Sequence, residues 1–206
     1  NQLCCDSAQA VLEGLAADGG LYVPLSLPEF DWKASLQGSA MDMSTAILSA
    51  LLPEIPAMPQ LVKKAYTGKF ATEELTPTVA VGDFHVLELF RGPTSAFKDV
   101  ALSMLPQLLT AAKREKGMEK DILILTATSG DTGKAALEGF MNELMAVYEV
   151  EFGGSRNAIF RLKENWGFLH DRFEGCDKLW KRLRKTTDAA EFKSISAEIF
   201  HTLPLK

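Results

Sequence analysis

Cysteine is scarce in this 206-residue chain, which has only Cys4, Cys5 and Cys176. An odd number of thiols without framework spacing argues against a disulfide-stapled secreted domain and for a reducing, cytoplasmic home. The adjacent Cys4 and Cys5 lack the second pair that a structural zinc site would need, so no metal is expected. Long apolar runs are missing too. None approaches the roughly 18 residues of a membrane span, and the first residues lack the basic-then-apolar pattern of a signal peptide, so a soluble protein with no membrane partner is expected. Positive charge is in short supply: 22 Lys and Arg against 27 Asp and Glu give a formal net charge of −5. That balance offers no general attraction to nucleic acid or to an anionic membrane.

Hydrophobic residues make up 47% of the chain and charged residues 24%, the composition of a globular protein with one good core or two modest ones. The average charge hides two unlike parts. Residues 1–140 hold 11 Lys and Arg against 17 Asp and Glu, whereas residues 155–206 hold 11 against 7.

The opening residues predict a short amphipathic helix from Ala8 to Leu15, stopped by "ADGG", and then a strand around Leu21 to Val23. Residues 42–67 carry apolar side chains at helical spacing, but Pro53, Pro56 and Pro59 must divide them. "TVAVGDFHVLELF" predicts a hairpin around Gly82 and Asp83. From Ser95 to Lys116 a helix is expected, with Lys98 in its first turn and Gly117 closing it. Ile122 to Leu125 is a short, wholly apolar run of the kind buried in a parallel sheet. The turn "TSGDTG" follows, and another helix starts at Lys134. Helix, strand, glycine turn and helix make half of an open α/β unit, in which ligands bind beyond the strand ends at helix N-termini.

Two features of this region point to chemistry. The turn and the first helical turn after it offer backbone N–H groups to an anion, supplemented by the hydroxyls of Thr128, Ser129 and Thr132. Lys98 follows a Gly-Pro turn and stands among Phe97, Val100, Ala101 and Met104. An amine partly withdrawn from water is the nucleophile that forms a Schiff base with an aldehyde, and Lys98 is the candidate for that role.

The stretches "ADGGLYVP", "LELFRGPTSAFKDVAL" and "ILTATSGDTGKAALEGF" resemble threonine synthases. Those are pyridoxal phosphate (PLP) enzymes of the tryptophan-synthase-β fold type that convert O-phosphohomoserine and water into threonine and phosphate. The likeness runs from Asn1 to Phe140 and implies an α/β fold, here a partial PLP fold of type II. It implies that Lys98 holds the cofactor and shuttles protons, and that Asp131 faces the cofactor's 3-hydroxyl. Thr128, Ser129, Gly130 and Thr132 would receive the substrate's carboxylate. A glycine-rich phosphate loop is expected of that family, yet Gly153-Gly154 is the only later glycine pair and lacks the closely spaced glycines of a phosphate nest.

After Phe140 the pattern is helical throughout. Helices are expected over about Met141 to Phe152, Asn157 to Phe173 and Cys176 to Lys185, with Asp188 capping a fourth. An all-α bundle would draw its core from Trp166, Phe168, Phe173, Leu179 and Trp180. Its basic residues are either a solvated face or, interleaved with aromatics, a surface for a phosphate backbone through Arg161, Lys163, Lys181, Arg182, Arg184 and Lys185. "RNAIFRLKENWGFLHDRFEGCDKLWKRLRKTTDAAEF" is similar to the C-terminal helical domain of bacterial tRNA-dihydrouridine synthases, and that resemblance implies tRNA as a partner. Two resemblances meeting between Phe140 and Met141 imply a chimera of parts 1–140 and 141–206. As such a chain the threonine synthase chemistry is expected to be inactive, leaving a tRNA-binding module or a scaffold with neither activity.

Overall fold

A computed structural model describes residues 4–29, 31–123 and 130–206, apart from the side chains of Trp32 and Asp131. Helix α1 (Ser7–Glu13) starts where the Asp6 carboxylate accepts the Gln9 N–H at 2.9 Å. It ends at Glu13, two residues before the expected Leu15, because Gly14 takes a left-handed φ of 69°. The strand expected around Leu21 does not form. Leu21 makes a lone bridge to Leu15, and Pro24, which lacks a donor, follows soon after.

Helix α2 (Trp32–Ser35) is a single turn. Helix α3 (Ala40–Leu51) opens with a reciprocal cap between Ser39 and Asp42, and α4 (Met58–Tyr66) carries Pro59 in its first turn, where no N–H is missed. The prolines therefore divide this region as expected. The hairpin also forms: β1 (Thr78–Val81) pairs antiparallel with β2 (Phe84–Leu87), Val81 opposite Phe84, with Gly82 at a φ of 60°. Its apolar Phe84, Val86 and Leu87 face solvent.

Helix α5 (Asp99–Glu115) packs against α1 and α4. Ala8, Met58, Val62, Ala65, Met104 and Ala112 form the first core there. The Tyr66 hydroxyl donates to the Val100 carbonyl at 3.0 Å, and burial pushes this phenol's pKa up to about 12. Ile124 and Leu125 of the expected buried strand lie outside the described residues, and Asp121 to Leu123 have no regular secondary structure.

Helix α6 (Asp131–Glu151) then runs without a break through Phe140 and Met141. Leu137 and Met141, on either side of the expected join, both pack against the second core. That core is closed by α7 (Ser155–Leu169), a 3-10 turn at His170–Arg172, α8 (Asp177–Lys185) and α9 (Ala189–Thr202). Asp188 caps α9 by accepting the Glu191 N–H at 2.8 Å, as its position in the sequence suggested. Trp166, Phe173 and Phe200 pack in its centre in tilted and edge-to-face pairs, with Trp166 and Phe200 ring centroids 5.2 Å apart. Phe168 does not join them and is 81% exposed. Two residues along a helix turn a side chain by about 200°, so Trp166 and Phe168 cannot share a face.

The two cores meet where α6 crosses α5. Pro106 inside α5 has no N–H to offer the Leu102 carbonyl one turn back, and Gly139 of α6 approaches that carbonyl. A Cβ at residue 139 would stand 2.4 Å from the Leu102 oxygen. An exposed helical Gly→Ala change gains up to about 1 kcal/mol. Here the sign reverses, and Gly139→Ala is expected to lose about 1–3 kcal/mol by overpacking against backbone, read as a lower urea midpoint at unchanged slope.

Candidate functional site

Lys98 occupies the N-cap position of α5, at the end of a loop fixed from behind by Asp99. That carboxylate is 1% exposed and accepts the Thr94 N–H at 2.8 Å and the Thr94 hydroxyl at 2.6 Å. Burial raises the Asp99 pKa, opposed by the two Thr94 bonds and by the charge of Lys134. Gly92 is required where the loop crosses this carboxylate, since a Cβ there would lie 2.4 Å from Asp99 Cβ. Ser95 adopts a left-handed φ of 60°. The Lys98 side chain is half-buried. Its amine donates to the Thr132 hydroxyl and stands 5.4 Å from the exposed Phe97 ring centroid.

Thr132 belongs to the first turn of α6, where Gly130 is the N-cap with a φ of 144° and accepts the Lys134 N–H at 3.0 Å. The structure thus brings together two of the residues singled out in the sequence, 34 positions apart. Thr128 and Ser129 lie outside the described residues, as does the side chain of Asp131. The positive end of the α6 dipole stands beside the Lys98 amine, an arrangement that suits an anion lodged between them. Among the described residues no carboxylate pairs with Lys98.

A feature not read from the sequence adjoins this loop. A polar cleft of about 1120 Å³ lies between the turn after α4, the loop before α5, and helices α6 and α9. Glu143, nearly excluded from water, takes the Lys64 ammonium at 2.7 Å and the Gln107 amide at 2.8 Å on the same oxygen. Glu138, 5% exposed, accepts from Asn142, and burial pushes its carboxyl up to about 7 despite the charge of Lys69. Burial lowers the pKa of the Lys69 amine in turn. His201 of α9 lies with Nδ1 3.3 Å from the Ser95 hydroxyl. The row Lys134, Glu138 and Asn142, spaced by four, was a legible sign of a polar stripe on a packed helix.

The basic residues of the second part divide. Arg161 pairs with Glu164 at 3.4 Å, Lys163 donates to the Thr186 carbonyl at 2.5 Å, and Arg182 pairs with Glu198 at 3.4 Å. Lys181, Arg184 and Lys185 are exposed, with no ion pair among the described residues. No described helix is long and apolar enough to cross a membrane.

The family model "Threonine synthase N terminus" matches residues 2–66. The chain is 39% identical over 150 residues to threonine synthase of Saccharomyces cerevisiae, covering 64% of this chain and 29% of that protein. It is 35% identical over 142 residues to the human threonine synthase-like 1 protein, covering 65% and 19%. The crystal structure of PLP-bound threonine synthase from Brucella melitensis superposes with a TM-score of 0.59 at 39% identity, over 66% of this chain and 30% of that one. The yeast enzyme gives 0.57 at 38% identity, over 65% and 30%. About two thirds of the chain is therefore similar to threonine synthases, and the chain spans less than a third of the length of these relatives.

Two outcomes follow from the buried carboxyls. Asp99→Ala leaves the Thr94 N–H buried without an acceptor, so a loss of about 1–3 kcal/mol is expected, with faster amide exchange at Thr94 and Ser95. Asp99→Asn, which keeps one acceptor, is expected to lose less. The raised pKa of Glu138 means that its protonated form is the one that folding favours. Its contribution is full below its ordinary value of 4.5 and is lost as pH rises through about 7. Relative to Glu138→Gln, the native chain is expected to lose up to about 3 kcal/mol between those limits, measured by urea unfolding across pH.

Proposed function

We propose that the first part of this chain supplies the lysine-bearing half of a threonine-synthase-type site, acting on O-phosphohomoserine and water to give threonine and phosphate with PLP as cofactor. The observation that carries this reading is the meeting of Lys98 and Thr132 in a chain about two thirds of which is similar to a PLP-bound threonine synthase. The residues suit such a cofactor, because a half-buried amine with no carboxylate partner among the described residues is held beside a helix N-terminus. Lys98 would hold it and Asp131 would face its 3-hydroxyl. Thr128, Ser129, Gly130 and Thr132 would receive the substrate's carboxylate. When bound, the cofactor supplies the electron sink.

The protein's own contribution is orientation and proton movement. The Asp99–Thr94 clamp fixes the backbone from which Lys98 projects, and the Thr132 hydroxyl aims its amine. Lys98 then carries protons at the substrate's carbons. Among the described residues the later glycine pair does not stand beside Lys98. Gly153 and Gly154 lie in the turn after α6, and Thr132 is in its first turn. The 21 residues of that helix separate the two by roughly 30 Å. The chain alone is therefore read as inactive, since the reacting groups lack the positioning that contributes about 7–11 kcal/mol.

Borohydride reduction of the chain incubated with PLP is expected to fix the cofactor on Lys98, located by peptide mass mapping, and Lys98→Ala is expected to abolish the labelling. Labelling spread over surface lysines would overturn the assignment. No threonine is expected from O-phosphohomoserine, and phosphate release that requires both PLP and Lys98 would refute the inactivity.

A second reading concerns the other part. We place a boundary of ancestry between Phe140 and Met141 and assign tRNA binding to the helices after it. Its support is charge and exposure alone: among the described residues Lys181, Arg184 and Lys185 have no ion pair along α8. Three phosphate contacts predict that log K falls with log salt at a slope of about −2 to −3. Replacing the three by Gln is expected to flatten that slope, and unchanged binding would reduce them to a solvated face.

A further inference from the structure

Two buried oxygens beside the second core share a feature that the proposed chemistry does not use. Glu138 Oε2 on α6 and Ser196 Oγ on α9 are both closed off from solvent, and neither has a hydrogen-bond partner among the described residues. They line the same small cavity of about 30 Å³. Asn142 contributes a polar wall, its amide donating to the other Glu138 oxygen, while Met145, Trp166 and Phe200 close the remainder.

An apolar void of this size stays dry, but a polar one that can hold a single 1.4 Å probe and offers two to four partners is where proteins keep internal water. Buried polar atoms left without partners are rare, and two converging on one cavity point to a shared guest.

We infer that this cavity binds one long-lived water molecule, which donates to Glu138 Oε2 and exchanges hydrogen bonds with the Ser196 hydroxyl and the Asn142 amide, fastening α9 to α6. The inference is independent of the reading of Lys98. The guest is neutral and small, because the cavity has room for one molecule and the nearby charges already balance. Lys69 lies beside Glu138 from the turn after α4, Asp99 acts on it from α5, and Lys193 lines the cavity from α9. The water is also a mechanical joint. Ser196 and His201 share α9, so the helix it secures is the one whose His201 meets Ser95 in the loop leading to Lys98.

The test needs no ligand beyond solvent. In the wild-type chain, water–protein cross-relaxation at the Asn142 side-chain amide is expected, and a high-resolution crystal structure is expected to show one ordered oxygen between Glu138 and Ser196. Absence of both would overturn the inference. A second measurement follows the Glu138 carboxyl carbon by NMR as pH is raised. Ser196→Val fills the cavity and expels the guest. Loss of a donor to the carboxylate is then expected to raise the titration midpoint by about one unit, a tenfold gain in proton affinity. An unchanged midpoint in a folded Ser196→Val chain would show that no water had been donating there. Should Ser196→Val fail to fold, the wild-type cross-relaxation decides alone.

Discussion

Gly139 lies so near the Leu102 carbonyl that a Cβ there would stand 2.4 Å from its oxygen, and the arrangement of both parts depends on this approach. Pro106 frees that carbonyl from its helical partner, and the missing side chain at residue 139 lets α6 settle against α5 there. With this crossing fixed, the first turn of α6 brings Thr132 to the Lys98 amine. The middle of the same helix brings Glu143 to Lys64 and Gln107, and its face beyond Leu137 receives the aromatic core. A side chain inserted at that point would shift all three contacts together, because interiors packed this closely transmit displacement rather than absorb it.

The candidate site has the character of a buttressed loop. Lys98 is adjacent in sequence to Asp99, yet the two face opposite demands. Asp99 is buried to hold Thr94, while Lys98 remains half-open beside an exposed phenylalanine. Burying an anion is tolerable here because it accepts two hydrogen bonds from one residue. The glycine at position 92 and the strained Ser95 follow from wrapping a chain closely around that carboxylate.

Much of this was legible in the sequence, for identifiable reasons. Proline positions divided α3 from α4, Gly82 located the hairpin, and Asp188 announced α9, because each acts through its own backbone chemistry. Lys98 and Thr132 could be named from the pattern of a turn meeting a helix, although their contact could not. What escaped was set by distant partners. The Leu21 region has strand-forming residues but no neighbouring strand to complete it, and Phe168 shows an aromatic composition without the angular position of a core residue. The acidic residues of α6 drew no reading of their own, and tertiary packing turned Glu138 and Glu143 inward.

The unbroken course of α6, from its seam with α5 into the second core, has a consequence for unfolding. The second core takes Met145 from this helix, the first core lies on the helix α5 against which α6 packs, and each half of the rod is shorter than the dozen or so residues at which a lone helix begins to hold its shape in water. Melting of the second core would leave its share of α6 unsupported and loosen the seam with α5. Cooperativity would then extend across the whole chain, so that heat would register one transition despite a composition that changes sign midway.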